Sequence, residues 1–492
     1  MKSAKYILDK DYRIGVVDRR IFGSFMEHIF RAVYEGIYEP GHPQADELGF
    51  RKDVIEATKQ ANISLVRYPG GNFVSGYRWT DGIGPVAERK TRLNLAWNIF
   101  EPNTVGTDEF ADWVKKANVE FMATVNLGTG TPQEAGEMVE YCNRPSGTYW
   151  SDLRRKNGHS DPHQIKLWCL GNEMDGNWQI GKLSAEDYGK KALETAKIMQ
   201  WTDPSIEMVV CGSSFPEMPT YPEWDRIVLE YTYEKANYIS LHRYFQYKPS
   251  DGFGYPSIED KSDIAYCSIE LQSILHTIVS TGDYVKAKKR SSKVMNISFD
   301  EWNVLKWEED YTLRDALIYG GLLCTFLKNA DRVKVACQSL LVNEGGMFKT
   351  VKGGGLVINP TYYPFQYMAA YSRGVSMLDQ VSGPKVKTNH HDEVPALQTA
   401  SVYNEEDGSL NVFVVNLDTE ADTTLAMDFR SFGNVQMIEH VVMEGNLEAC
   451  NSIAAPDTVK PATRAVQPVT NGMVDVLISK SSWNMLRFST RS

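Results

Sequence analysis

No Cys-x-x-Cys occurs in this chain, and its seven cysteines among 492 residues are scattered and odd in number. A zinc ribbon and a disulfide framework are therefore not indicated, and reduced thiols are expected. Long apolar runs are missing too. No stretch reaches the roughly 18 residues that a membrane-spanning helix needs, and the first residues, Met1 to Asp11, lack the apolar core of a signal peptide. A cytoplasmic protein without membrane attachment is the expectation. Positive charge is in deficit, with 52 Lys plus Arg against 63 Asp plus Glu and a formal net charge of −11, which argues against general attraction to nucleic acid or anionic lipid. Nucleotide-binding glycine motifs are absent, as are His-x-His at a strand end, His-Glu-x-x-His and Gly-x-Ser-x-Gly. No metal or cofactor is expected. His390-His391 reads as a solvated loop and Gly212-Ser213-Ser214 as a plain loop rather than a nucleophile motif.

What is present is the composition of a globular protein: 42% hydrophobic, 11% aromatic and 23% charged residues. The 11 Trp and 25 Tyr suit stacking on sugar rings, with core packing as the competing role for most of them. Through the first three-quarters, short apolar runs alternate with helical patterns. The runs are Ile21–Met26, Ser64–Tyr68, Glu120–Asn126, Lys166–Leu170, Met208–Cys211, Tyr238–Leu241, Met295–Phe299 and Arg332–Ala336. Eight such strands close a (β/α)₈ TIM barrel, an α/β fold. Helices are expected at Asp53–Gln60, Thr107–Lys116, Thr131–Asn143, Ser184–Gln200 and Leu313–Asn329, with Thr107, Thr131 and Ser184 as N-caps. After Ser376 the pattern changes to short alternating runs (Leu410–Asn416, Leu425–Phe429, Val474–Ile478, Trp483–Phe488), which read as a C-terminal all-β sandwich with a long loop over Ala454–Gln467.

Polar or glycine-rich clusters follow several strands, on the face where barrel enzymes build their sites: Glu27-His28, Pro69-Gly70-Gly71-Asn72, Gly171-Asn172-Glu173, His242-Arg243-Tyr244 and Asp300-Glu301-Trp302. Glu173 and Glu301 each end an apolar run. A carboxyl delivered by a buried strand has its charged form disfavoured, which suits a general acid. A single strand-end Glu is more often a helix N-cap neighbour or a loop ion-pair partner. A pair is what glycoside hydrolysis uses, with the carboxyls about 5 to 5.5 Å apart in the retaining version.

On Gly23–His28, Arg67–Trp79, Leu95-Ala96-Trp97 with Glu101-Pro102-Asn103, Gly171–Gly181, Ser240–Tyr244 and Phe299–Val304, the chain resembles the α-L-arabinofuranosidases of glycoside hydrolase family 51 over essentially its full length. The resemblance implies a catalytic barrel over residues 19–375 and a jelly-roll-type sandwich of residues 376–492 completed by residues 1–18. It also implies a homo-oligomer, a hexamer in many members. The implied activity is retaining, exo-acting release of terminal arabinofuranosyl groups from arabinan- or arabinoxylan-derived oligosaccharides. By the same resemblance Glu173 is the acid/base and Glu301 the nucleophile. Asn172 binds the sugar 2-hydroxyl, Glu27 and Asn72 bind the other hydroxyls, Tyr244 contacts nucleophile and sugar, and Trp97 and Trp302 line the pocket. Two departures stand out. Leu305 occupies a position that is commonly Trp, the nearest aromatic being Trp307, and Asn359-Pro360 stands where the family has a sugar-contacting Gln. Another retaining glycosidase, such as a β-xylosidase or endo-β-glucanase, or a non-catalytic sugar binder are the alternative readings.

Overall fold

Apolar runs buried on both faces form eight parallel strands: Gly23–Phe25, Leu65–Tyr68, Glu120–Val125, Leu167–Leu170, Glu207–Cys211, Tyr238–Phe245, Asn296–Val304 and Val333–Ser339. They close into one barrel in chain order, the eighth pairing with the first. The computed structural model describes residues 1–247, 257–306 and 309–491. Each strand overlaps an apolar run read from the sequence, because a strand covered by helices outside and side chains inside has no solvent face to interrupt it with polar residues.

The five expected helices are present within two residues at each end. Thr131 and Ser184 cap their helices, their hydroxyls accepting from Glu134 N and Asp187 N. Thr107 does not cap: the helix Thr107–Ala117 begins on it, and Gly106 is the cap, its N–H satisfied by the Glu109 carboxylate at 2.9 Å. At the amino-end face Arg20, in the turn before the first strand, ties the third and fifth strands together, donating to Glu120 at 2.6 and 2.7 Å and to Glu207 at 3.0 Å. This face reads as stability, leaving the opposite one for chemistry.

Beyond the barrel, nine strands form a single hydrogen-bonded sheet rather than two separate ones. The strand Lys2–Val16 sits inside it, antiparallel to Val375–Ser382 and parallel to Thr423–Asp428. The sheet curls on itself: Phe429, just after Thr423–Asp428, packs with its ring centre 4.7 Å from that of Phe488 of Ser482–Ser489, although four strands lie between theirs in the sheet order. The curl encloses a core of Tyr6, Leu8, Met377, Val412, Leu425, Val476 and Leu486. The segment expected as one long loop contains a short strand, Ala462–Arg464, paired with His440–Val442; three residues among prolines leave no periodicity to read.

Candidate active site

At the end of the second barrel strand, Leu65–Tyr68, a charged residue interrupts an apolar run. Arg67 is 1% exposed, and its guanidinium organises the site. It donates to Glu301 Oε1 at 2.7 Å and to Asn172 Oδ1 at 2.7 Å, with Nε 3.3 Å from Asp300. In a regular strand Asp300 and Glu301 would face opposite ways. The register against the sixth strand shifts between Ser298 and Glu301, and against the eighth between Phe299 and Trp302. This irregularity turns both carboxyls toward Arg67.

It also turns Trp302 away. Expected as a pocket wall, Trp302 is 1% exposed and packs 4.9 Å from Tyr319 and 5.5 Å from Phe326, on the helix Leu313–Lys328 outside the barrel. Glu301 is completed by Tyr244, whose phenol donates to Oε2 at 2.7 Å and lies 2.9 Å from Ser339 Oγ.

Glu173 leaves the fourth strand, Leu167–Leu170, through a tight turn. Gly171 has φ +88° and Glu173 itself φ +45°, and Gly176 N closes the turn on Glu173 O at 2.8 Å. Asp175, in the same turn, is anchored by both the N–H (3.1 Å) and the hydroxyl of Ser214. The Glu173 carboxyl accepts from Trp178 Nε1 at 2.7 Å and lies 3.0 Å from His242 Nδ1. His242 is 3.7 Å from Glu301 and 3.5 Å from Asp300. Burial opposes a charge on this imidazole, but Glu301, Asp300 and Glu173 outweigh it and push its pKa up to about 10. One ligand atom each of Glu173, His242 and Glu301 lie within 4.8 Å of one another.

Glu27, at the end of the first strand, accepts from Phe73 N at 2.7 Å and Trp97 Nε1 at 2.9 Å. Gly70 and Gly71 are required there: a Cβ would fall 2.7 Å from Glu27 Cγ at Gly70, whose φ is +151°, and 2.6 Å from Glu27 Oε2 at Gly71. Burial, added to by the Glu301 charge and opposed by the two N–H donors, pushes Glu27 up to about 8. Asn72 opens the turn Asn72–Gly76 beside it. Asn172 Nδ2 is buried with no hydrogen-bond partner among the described residues, a spare donor on the side chain that shares Arg67 with Glu301. Asn359 is 3% exposed, its Nδ2 donating to Gly346 O at 2.8 Å and its Oδ1 unpartnered. Trp307 lies outside the described residues.

The structure thus joins Asn172, Glu173, Tyr244 and Glu301 into one network through Arg67 and His242, and pairs Trp97 with Glu27, which feels the Glu301 charge. Sequence reasoning gave no role to Arg67, His242, Asp300 or Trp178. Arg67 carries the one signal that was available, a charge inside an otherwise apolar strand. A second group able to hold a metal is Asp108, His159 and His163, but His163 Nε2 sits 2.7 Å from Asp108 Oδ1. That is a hydrogen-bond distance, shorter than the ~3.3 Å between two ligands of a tetrahedral zinc.

An eight-stranded parallel barrel with two close carboxyls at the ends of its fourth and seventh strands defines the class of protein: a glycoside hydrolase with a paired-carboxyl site. Comparison narrows it. Residues 57–251 match the family pattern described as alpha-L-arabinofuranosidase 1 domain, and residues 300–482 that of the alpha-L-arabinofuranosidase C-terminal domain. The chain is 45% identical to the intracellular exo-α-(1→5)-L-arabinofuranosidase 1 of Bacillus subtilis, covering 100% of both chains. It is also 45% identical to the intracellular exo-α-(1→5)-L-arabinofuranosidase of Halalkalibacterium halodurans, covering 99% of both. A solved family 51 α-L-arabinofuranosidase from Bifidobacterium longum superposes with a TM-score of 0.94 at 34% identity, over 99% of this chain and 100% of that one. The chain belongs to the α-L-arabinofuranosidases of glycoside hydrolase family 51.

Proposed function

We propose that in this exo-α-L-arabinofuranosidase Glu301 is the nucleophile and Glu173 the acid/base of a retaining hydrolysis. The observation that carries the assignment is the spacing of their carboxyl oxygens, within 4.8 Å, which fits the retaining separation of about 5 to 5.5 Å between carboxyls and leaves too little room for the interposed water of an inverting enzyme. Contacts support the roles. Arg67 and Tyr244 both donate to Glu301 and aim it, while the Glu173 carboxyl accepts from Trp178 and lies against His242.

Attack by the Glu301 carboxylate forms a bond to the anomeric carbon as the bond to the leaving oxygen breaks, and that oxygen takes the Glu173 proton. Glu173, now a carboxylate, then accepts a proton from water as the water oxygen bonds to the anomeric carbon and Glu301 departs. Asn172 Nδ2 is placed to hold the 2-hydroxyl, a contact that strengthens in the transition state. Glu27, Asn72 and Trp97 surround the rest of the furanose, and at Asn359 the family's direct sugar contact is lost or carried by water.

The substrates are arabinan- or arabinoxylan-derived oligosaccharides, with the α-(1→5) linkage supported by the names of the two relatives. Their description as intracellular supports a cytoplasmic enzyme acting on imported oligosaccharide. Among the described residues no helix is long and apolar enough to cross a membrane. Residues 19–375 form the catalytic unit, and residues 1–18 with 376–492 the sheet unit. A homo-oligomer is supported by Leu93, Leu95 and Phe100, which are 52%, 65% and 80% exposed on the hairpin of Arg92–Asn94 and Ile99–Glu101.

The test compares initial rates on 4-nitrophenyl α-L-arabinofuranoside and β-D-xylopyranoside. A strong preference for the first is expected, abolished in Glu301→Ala. Glu173→Ala should chiefly slow substrates with poor leaving groups and regain rate with azide. Near-normal turnover by Glu301→Ala would make the assignment wrong.

A further inference from the structure

We infer that Phe30 is the stacking platform of a leaving-group subsite that takes a neutral sugar ring, an inference that rests on the arabinofuranosidase reading above. Phe30 has φ +34°, a left-handed backbone that bulky side chains rarely adopt and that glycine would occupy without strain. Burial does not account for keeping an aromatic there, because Phe30 is 46% exposed. Strain retained in a loop at a barrel's carboxyl end points to use of the side chain.

The surroundings show what that use is. The Phe30 ring centre lies 5.8 Å from that of Trp97, which donates to Glu27. Both rings are held in place. Buried Asn94 donates to His28 O at 2.7 Å and accepts from Ala96 N and Trp97 N at 3.1 and 3.3 Å, tying the hairpin to the Phe30 loop. On the other side Asn343 Nδ2 donates to Arg31 O at 2.8 Å.

Glu27, Asn172 and Glu301, the ligands proposed for the furanose, are 4%, 1% and 5% exposed. The cleaved sugar therefore lies at the bottom of the pocket, and an exposed ring at its mouth meets what projects outward, the leaving group. Beside it Arg31 borders a cavity of about 150 Å³ with Glu344, Lys349 and Asn359, and Asn359 Oδ1 is buried there without a partner. An apolar face next to hydroxyl-binding groups is the combination a sugar ring fits. With Leu305 standing where the family commonly has an indole, Phe30 supplies an aromatic face from the first barrel loop instead.

The experiment measures kcat/KM on methyl α-L-arabinofuranoside, whose leaving group is too small to reach Phe30, and on α-(1→5)-arabinobiose. The unaltered enzyme is compared with Phe30→Gly and Phe30→Trp. Phe30→Gly relaxes the backbone, so a folding defect does not confuse the result. The expected outcome for Phe30→Gly is a loss of about tenfold on the disaccharide, the size of one aromatic stacking contact, with the methyl glycoside within about twofold. Phe30→Trp should restore the disaccharide rate. Equal losses on both substrates would show that the ring supports the furanose pocket, and no loss on either that it does not meet the substrate; each overturns the subsite. Inactivity of the unaltered enzyme on both glycosides would overturn the activity itself, and this subsite with it.

Discussion

Glu27 is buried to 4% exposure and takes its hydrogen bonds from neutral N–H donors rather than from a cation. Its pKa rises from an ordinary 4.5 to about 8, first through burial and then through the Glu301 charge. Between these values the folded protein holds a proton that the unfolded chain has released, so stability falls as pH rises from about 4.5 to about 8. Gln at this position keeps the shape and cannot ionise. Thermal unfolding at pH 5 and pH 8 should therefore show Glu27→Gln gaining at least ~2 °C relative to the unaltered protein at the higher pH. An identical difference at both pH values would mean that Glu27 is ionised in the fold. His242 poses the opposite case, a cation kept charged by three carboxyls. Its stabilising charge is fully in place below about 6.5 and fades as pH rises toward about 10, so thermal unfolding should show His242→Gln losing more against the unaltered protein at pH 6 than at pH 9.5. An equal loss at both would show that the imidazole is neutral in the fold.

The turn after the second barrel strand shows how an element positions a side chain by what it omits. Gly71 has φ −64° and ψ −127°, outside the α and β regions open to residues with a Cβ, so Gly71→Ala combines backbone strain with contact. The new methyl would sit 2.6 Å from Glu27 Oε2 and 3.1 Å from Phe25 Cζ. Glu27 must give way, and kcat/KM on an aryl arabinofuranoside should fall at least tenfold, a displacement of this size being costly at an active site; an unchanged value would remove Glu27 from the sugar pocket. Legibility in the sequence followed the same line between pattern and contact. All eight barrel strands could be read because burial on both faces leaves continuous apolar runs. Glu173 and Glu301 could be read because each ends such a run. The irregularity at Ser298–Glu301 could not, since nothing in Ser298-Phe299-Asp300 marks an extra residue, and with it went the direction of Trp302 and the role of Asp300. Nor could His242, whose meaning depends on three carboxyls from two other strands.

At the scale of the whole molecule, the barrel and the curled sheet are not separable by their packing. The helix Leu313–Lys328 serves both. It covers the barrel through Phe326, and against the sheet its Gly320 leaves space that a Cβ would lose, 2.5 Å from Trp483 Cδ1 and 3.1 Å from Val415 Cγ2. Ser376 Oγ donates to Leu327 O at 2.7 Å, and Lys328 pairs with buried Asp379 at 2.9 Å. Trp483, Phe413 and Met485 belong to the same continuous apolar cluster as the barrel strands, while a second cluster fills the sheet's own interior. Trp483 is fully buried where the two units meet. Truncating it to alanine should cost about 3–5 kcal/mol, the range for large-to-small changes at aromatic core positions. Because the cluster is shared, that cost should fall on both units at once. In guanidinium titrations of Trp483→Ala, loss of arabinofuranosidase activity and loss of the far-ultraviolet signal should shift together to lower denaturant. A sheet that melts first and leaves an active barrel would show that the catalytic unit holds its fold without the helix's second contact.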